Sequence, residues 1–196
     1  MMKLYTRQSL TTLFFCLSAS VSYASDDCLI AFNDKEQQIG YQTQQGKVII
    51  PAQYLLADEQ LCNMAFVFDE NKGFVAINRQ NQVILTPYIY DNGPDYLQEG
   101  LFRFVENGKI GFANVDGKKI IPARYDFVTP FADGAAQYYI GGEPIYEDGR
   151  TRQQIIAEDG VEGLTDKHWT WGGNIIEKGY IDKQGNHFIS KPPRSE

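Results

Sequence analysis

Gly111-Phe112-Ala113-Asn114-Val115-Asp116-Gly117-Lys118-Lys119-Ile120-Ile121-Pro122-Ala123-Arg124-Tyr125 is the stretch whose reading decides the fold. β-branched and aromatic residues run from Ile110 to Val115, and Asp116-Gly117 supplies a tight-turn pair. Lys118 to Ile121 then returns as the second half of a hairpin. Pro122 ends the pairing because it has no backbone donor. After Tyr125 a loop, Asp126 to Asp133, closes at Gly134 and leads into a third run, Ala135 to Ile140. One unit is therefore three strand-like runs with Gly, Asn, Asp and Pro between them.

The phrase recurs. Gly40-Tyr41 leads to Gly46-Lys47-Val48-Ile49-Ile50-Pro51 and Tyr54 at the same offsets. A divergent copy from Gly73-Phe74 reaches Val83-Ile84-Leu85, Pro87 and Tyr88 two residues late, with Asn81-Gln82 where the turn glycine would stand. A partial copy, Gly179 to Ile189, lacks the proline. The third run also recurs, as Gly100 to Val105 and as Asn63 to Phe68, where Asn63 replaces glycine at a position expected to need positive φ. Repetition at a spacing of 33 and then 38 residues marks a repeat architecture. The expected fold is all-β: tandem β-hairpin or three-strand units near 39–72, 73–109 and 110–138, a partial unit at 178–189, and an irregular insertion at 139–177. Within the insertion, Arg152 to Glu158 suits a short helix.

The N-terminal residues follow a secretory plan. Lys3 and Arg7 precede a short apolar run, Leu10 to Leu17, and Ser22-Tyr23-Ala24 is a small-x-small cleavage site before Ser25. Residues 1–24 are read as a signal peptide cleaved between Ala24 and Ser25, and 25–196 as a single periplasmic or secreted domain. The apolar run is shorter than the roughly 18 to 20 residues a membrane helix needs, so no membrane insertion is expected. The net charge of −7 becomes −9 once Lys3 and Arg7 are removed, because residues 1–24 hold no acid. Nucleic acid and anionic membranes require clustered Lys and Arg, so neither is an expected partner. Cleavage leaves two cysteines, Cys28 and Cys62, in an oxidising compartment. They read as a disulfide closing a loop worth roughly 3 to 4 kcal/mol in the chain-entropy picture; buried free thiols are the alternative.

The pattern Gly–aromatic–x–Asp–x–x–Gly–Lys–x–Ile–Ile–Pro–x–x–Tyr–Asp resembles the WG (KWG) repeat family of bacterial proteins. The resemblance spans roughly Ile39 to Tyr138, with Lys178 to Ile189 as a partial fourth copy. Ile39, Lys72, Ile110 and Lys178 stand where the family places its tryptophan, and the Trp171-Gly172 pair is out of register. The resemblance implies tandem β-hairpin units and no defined catalytic apparatus.

Gly40, Gly73, Gly111 and Gly179 read as turn or close-approach positions, and Tyr54, Tyr88 and Tyr125 as core between units. Function is expected at the interruption instead, since loops on rigid scaffolds are where binding residues gather. The candidate ligand-binding residues are Tyr139, Tyr146, His168, Trp169 and Trp171, beside Glu143, Glu147, Asp148, Arg150 and Arg152 and bracketed by Gly141-Gly142 and Gly172-Gly173. Aromatics beside carboxylates stack on a sugar or receive a cationic side chain; the alternative is that they cap the open end of the repeat stack. No catalytic residue, metal site or cofactor is expected. The sequence has no His-x-x-x-His pair, no Gly-x-Ser-x-Gly and no phosphate-cradling loop. Glu147-Asp148 reads as a solvated turn, and so does Asp91 to Asp95, which lacks Ca²⁺-loop spacing. The expected function is a non-enzymatic exported scaffold for a protein partner. A carbohydrate or cell-wall module and a periplasmic immunity or inhibitor protein are the alternatives.

Overall fold

The computed structural model describes residues 28–90, 92–164 and 167–191. The signal-peptide reading and the Ala24–Ser25 cleavage site lie outside these residues. The strands are β1 Leu29–Asn33, β2 Ile39–Gln42, β3 Val48–Tyr54, β4 Leu56–Ala57, β5 Gln60–Leu61, β6 Ala65–Asp69, β7 Gly73–Ile77, β8 Val83–Pro87, β9 Ile89–Tyr90 and β10 Gly93–Pro94. They continue as β11 Leu101–Glu106, β12 Lys109–Asn114, β13 Lys119–Tyr125, β14 Phe127–Val128, β15 Ala135–Tyr146, β16 Trp169–Asp182 and β17 His187–Phe188. One α-helix, α1 Arg152–Asp159, and one 3-10 turn, Val161–Leu164, lie between β15 and β16. The protein is all-β.

Four antiparallel meanders follow one another: β1-β2-β3, β6-β7-β8, β11-β12-β13 and β15-β16-β17. Each hands its chain to the next by pairing its outgoing residues with the first strand of the following meander. Leu56 and Ala57 pair with Phe68 and Val67, Pro87 and Thr86 with Phe104 and Val105, and Phe127 and Val128 with Tyr139 and Tyr138. In the first and third units the residues after the recurring tyrosine are therefore the joint, whereas in the second the two residues before Tyr88 make it.

The hairpin inside each unit has a common chemical basis. Thr43, Asn78, Asn114 and Asp182 begin a loop whose fourth residue has positive φ: Gly46, Asn81, Gly117 and Gly185. In each, the first side chain accepts the amide hydrogen of the residue four places on, namely Lys47, Gln82, Lys118 and Asn186. This is a three-residue loop closed by a left-handed residue, so Asp116-Gly117 is not the two-residue turn its sequence suggests. A two-residue turn does occur at Asn107-Gly108, where both φ are positive, at 52° and 72°.

Asn81 fixes the register of the second copy. Counting back from it, Val75-Ala76 occupies the place of Gly40-Tyr41 and Gly111-Phe112, and the pairs Ala76↔Leu85, Tyr41↔Ile50 and Phe112↔Ile121 coincide. The apparent delay of two residues is a false start: Gly73, at φ +72°, only opens β7 opposite Asp69 as the preceding turn closes. A Cβ at Gly40 or Gly111 would sit 2.5 Å from the carbonyl oxygen of Ile50 or Ile121, so the close approach expected there is present. Asn63 is absent from the positive-φ residues and instead donates to Asp116 Oδ1 at 2.6 Å. The glycine-like turn occurs only in the later joints, at Glu99-Gly100 and Asp133-Gly134.

The core follows the relay. One cluster gathers Tyr41, Ile50, Tyr54, Leu61, Val67 and Val75, a second Phe102, Phe104, Leu85 and Ala113, and a third Phe112, Ile121, Tyr125, Val128, Phe131, Tyr138 and Ile181. Tyr54 and Tyr125 are buried as expected, whereas Tyr88 is only partly buried. Cys28 and Cys62 are joined by a disulfide beside the Leu29↔Leu61 pair, which ties the first strand to the start of the second meander.

The 139–177 insertion is not irregular. It extends the β15–β16 hairpin, with pairs from Ile140↔Glu177 to Tyr146↔Trp169 interrupted by register shifts at Gly141. Gly141, Gly142 and Gly173 all have positive φ, so the bracketing glycines face one another as β-bulges. At the far end, Thr151 caps α1 and Gln154 completes a capping box. Ile155 is fully buried.

Candidate functional site: an aromatic groove beside the extended hairpin

The extended hairpin sets its aromatic residues against Phe127, the joint residue of the third unit, which pairs with Tyr139. Trp171 lies flat on Phe127, with centroids 5.0 Å apart and planes 13° apart, and its Nε1 donates to the Gly141 carbonyl at 2.9 Å. Trp169 meets Phe127 edge-on at 5.5 Å, and Tyr139 lies 5.9 Å from it. These rings, with Tyr90, Lys167, His168 and Thr170, line an open groove of about 440 Å³.

The rings differ in what they leave free. Trp171 is held on one face by Phe127, and its indole nitrogen lies within 2.6 Å of where a Cβ on Gly142 would be, so only glycine permits its position. Trp169 is 37% exposed and Tyr90 53% exposed. Of the five candidate residues, Tyr139, His168, Trp169 and Trp171 come together here. Tyr146 does not line the groove: although it pairs with Trp169 across the hairpin, it is buried, next to Ile145, which bridges Thr151. Phe127 and Tyr90 were missed by sequence reading, because both look like ordinary strand residues until the relay brings them to the insertion.

Electrostatics fix the base and tip of this hairpin. Asp126 accepts from Lys109 Nζ at 2.6 Å and from the Gly141 amide at 2.8 Å, and these partners hold its carboxyl below the usual carboxylate range. At the tip, Arg150 pairs with Asp148, Glu158 and Asp159, and Lys167 with Asp148. The hydrogen bonds from Arg150 and then Lys167 depress the Asp148 carboxyl strongly. Asp148 and Arg150 thus serve an exposed ion network at the tip.

Outside the groove, two polar clusters are built into the repeats. Arg103, 2% exposed, binds both oxygens of Asp95 and the Val128 carbonyl, and its guanidinium lies 4.3 Å over the Tyr88 ring. His187 Nε2 is 3.0 Å from the Tyr125 hydroxyl and 3.1 Å from Arg124. Tyr138 donates to Glu177, and burial followed by that carboxylate pushes its hydroxyl up to about 12.

Among the described residues, no helix is long and apolar enough to cross a membrane. Neither a curated protein nor a solved structure matches the chain. The family model described as a WG containing repeat matches it twice in tandem, over residues 76–109 and 110–143. Its second match carries the Gly111-to-Tyr125 phrase and ends at Glu143, within the bulged base of the extended hairpin, so residues 76–143 are similar to two tandem WG-containing repeats.

Proposed function

We propose that this protein is an exported, non-enzymatic β-repeat scaffold that binds a protein partner through the groove between Tyr90 and Trp169. The observation that carries the reading is the placement of an exposed ring on a floor that the fold itself holds rigid. Phe127 and Trp171 are fixed by stacking and a hydrogen bond, so Trp169, edge-on to both, is presented with little ordering cost, and exposed Tyr90, which packs edge-on to Tyr96, lines the same groove. Exposed aromatics in a preformed concavity are the usual anchors of protein interfaces. Export is supported by the secretory plan of residues 1–24 and by the Cys28–Cys62 disulfide.

The test is photocrosslinking. A benzophenone side chain replacing Tyr90 in the exported chain should give one dominant protein adduct in envelope fractions, and Trp169→Ala should abolish it. Absence of an adduct, or one unaffected by Trp169→Ala, would overturn the reading.

The second reading is a glycan ligand, favoured by ring faces beside the polar Lys167, His168 and Thr170. Saturable quenching of tryptophan emission by cell-wall oligosaccharides, lost in Trp169→Ala, would establish it instead.

A further inference from the structure

A second cavity, of about 280 Å³, lies on a different part of the repeat stack. Its walls come from two successive joints and the hairpin loop of the following unit. Asp58 and Met64 belong to the segment between the first two meanders, Leu97 to the next joint, and Asp116 to the hairpin loop of the third unit; Phe66 and Phe102 close it. Those two rings meet edge to face at 5.1 Å and form a rigid apolar wall. Leu97 and Val115, at 51% and 61% exposed, leave an apolar rim open to solvent.

The charge in this cavity is one-sided. Asp58, Asp95 and Asp116 line it, and neither lysine nor arginine does. Asp95 is already neutralised by its bidentate contact with Arg103. Asp58 accepts from the Phe66 amide at 2.7 Å, and Asp116 accepts from Asn63 at 2.6 Å and Asn114 at 3.3 Å. Those partners are neutral, so two negative charges remain beside an apolar wall. Asp58 is reached by solvent yet surrounded by protein, as a group on a cavity wall is, and this desolvation raises its carboxyl above the ordinary range.

We infer that this cavity receives a cationic side chain, a lysine or arginine, from a basic protein partner. The alkyl stem lies along Phe66, Phe102 and Met64, and the charged end meets Asp58 and Asp116. Complementarity of charge argues for this occupant: a chain of net charge −7 steers basic partners toward itself, and an apolar-walled acidic cavity rewards a cation carried on a hydrocarbon stem. The inference does not depend on the aromatic groove, which shares no lining residue with this cavity.

The test uses Nα-acetyl-lysine methylamide and Nα-acetyl-arginine methylamide as probes, followed by amide chemical shifts of the full chain. At least one probe should shift the Asn63, Phe66 and Leu97 amides saturably. Nα-acetyl-norleucine methylamide, the same stem without charge, should bind at least about tenfold more weakly. Asp58→Asn with Asp116→Asn keeps both acceptors for Phe66 and Asn63 and should remove the preference for the charged probe while leaving the thermal midpoint unchanged. If the double variant fails to fold, acetylation of the probe ammonium removes the same charge without touching the protein. Equal affinity for charged and uncharged probes overturns the inference, as does shift of amides elsewhere only. Putrescine binding where both blocked amino acids fail overturns the side-chain assignment.

Discussion

Two residues whose partners are distant in sequence carry much of the local energetics. Asp95 and Arg103 form an ion pair with side chains 3% and 2% exposed, and the guanidinium also satisfies the Val128 carbonyl in the next joint. Removing one member of a buried pair strands the other, at a cost of about 3 to 5 kcal/mol. Asp95→Ala should therefore destabilise by that amount in urea titration, and Asp95→Ala with Arg103→Met should recover part of the loss. A recovery of zero would mean that the guanidinium keeps its stability through Tyr88 and Val128 alone. Nothing in the Asp91-to-Asp95 sequence reveals this pairing, because a turn-like string of Asp, Asn, Gly and Pro gives no hint that its last carboxylate turns inward. Asp126 offers a pH test. Its folded pKa is depressed, so its contribution is complete above the unfolded value of about 4 and is lost as pH falls through the lower folded value. Asp126→Asn should flatten the acid limb of the stability profile below about pH 4, read by thermal melts, whereas an unchanged slope would show that Lys109 and Gly141 do not hold that carboxylate.

At the scale of single elements, the extended hairpin separates structural from available aromatics. Trp171 is stacked on Phe127 and hydrogen-bonded to Gly141, while Trp169 touches Phe127 only by its edge and keeps 37% of its surface exposed. Trp171→Ala should cost about 2 to 4 kcal/mol, near the range for large aromatic truncations, and Trp169→Ala less than about 1 kcal/mol, as exposed substitutions do. Thermal melts of the two variants distinguish them, and equal losses would make the whole aromatic face a cap. The strands of the repeats were legible because Ile-Ile-Pro and the turn residues recur at fixed offsets. The second copy was misplaced by two residues because Val75-Ala76 stands where the other copies have glycine and an aromatic. The insertion looked irregular because its strands are broken by bulges at Gly141-Gly142 and Gly173, which erase the alternation that announces a strand. The candidate aromatics were visible as a cluster, but the floor they rest on, Phe127, belongs to a joint between units.

Over the whole molecule, stability passes from unit to unit through the joints, as in other repeat proteins whose units touch only their neighbours. Among the described residues, the first meander has a neighbour on one side, and its β1 strand is held by β2, by the short β5 pair and by the disulfide. The third unit sits between neighbours on both sides, and Tyr125 is fully buried in its core. Loss of the disulfide should therefore act locally. With Cys28→Ala and Cys62→Ala, the roughly 3 to 4 kcal/mol of loop-closure entropy is removed, and amides of residues 29–42 should exchange faster while those of 101–125 keep their protection. Tyr125→Ala should do the reverse, costing about 3 to 5 kcal/mol and loosening 101–125 together with β15 and β16, because its ring packs against Tyr138 at 5.1 Å. If hydrogen exchange instead reported uniform acceleration in both variants, the stack would be one cooperative block and the joints would transmit loss along its full length. Protection that falls off with distance from each substitution is the outcome the relay of strand pairings requires.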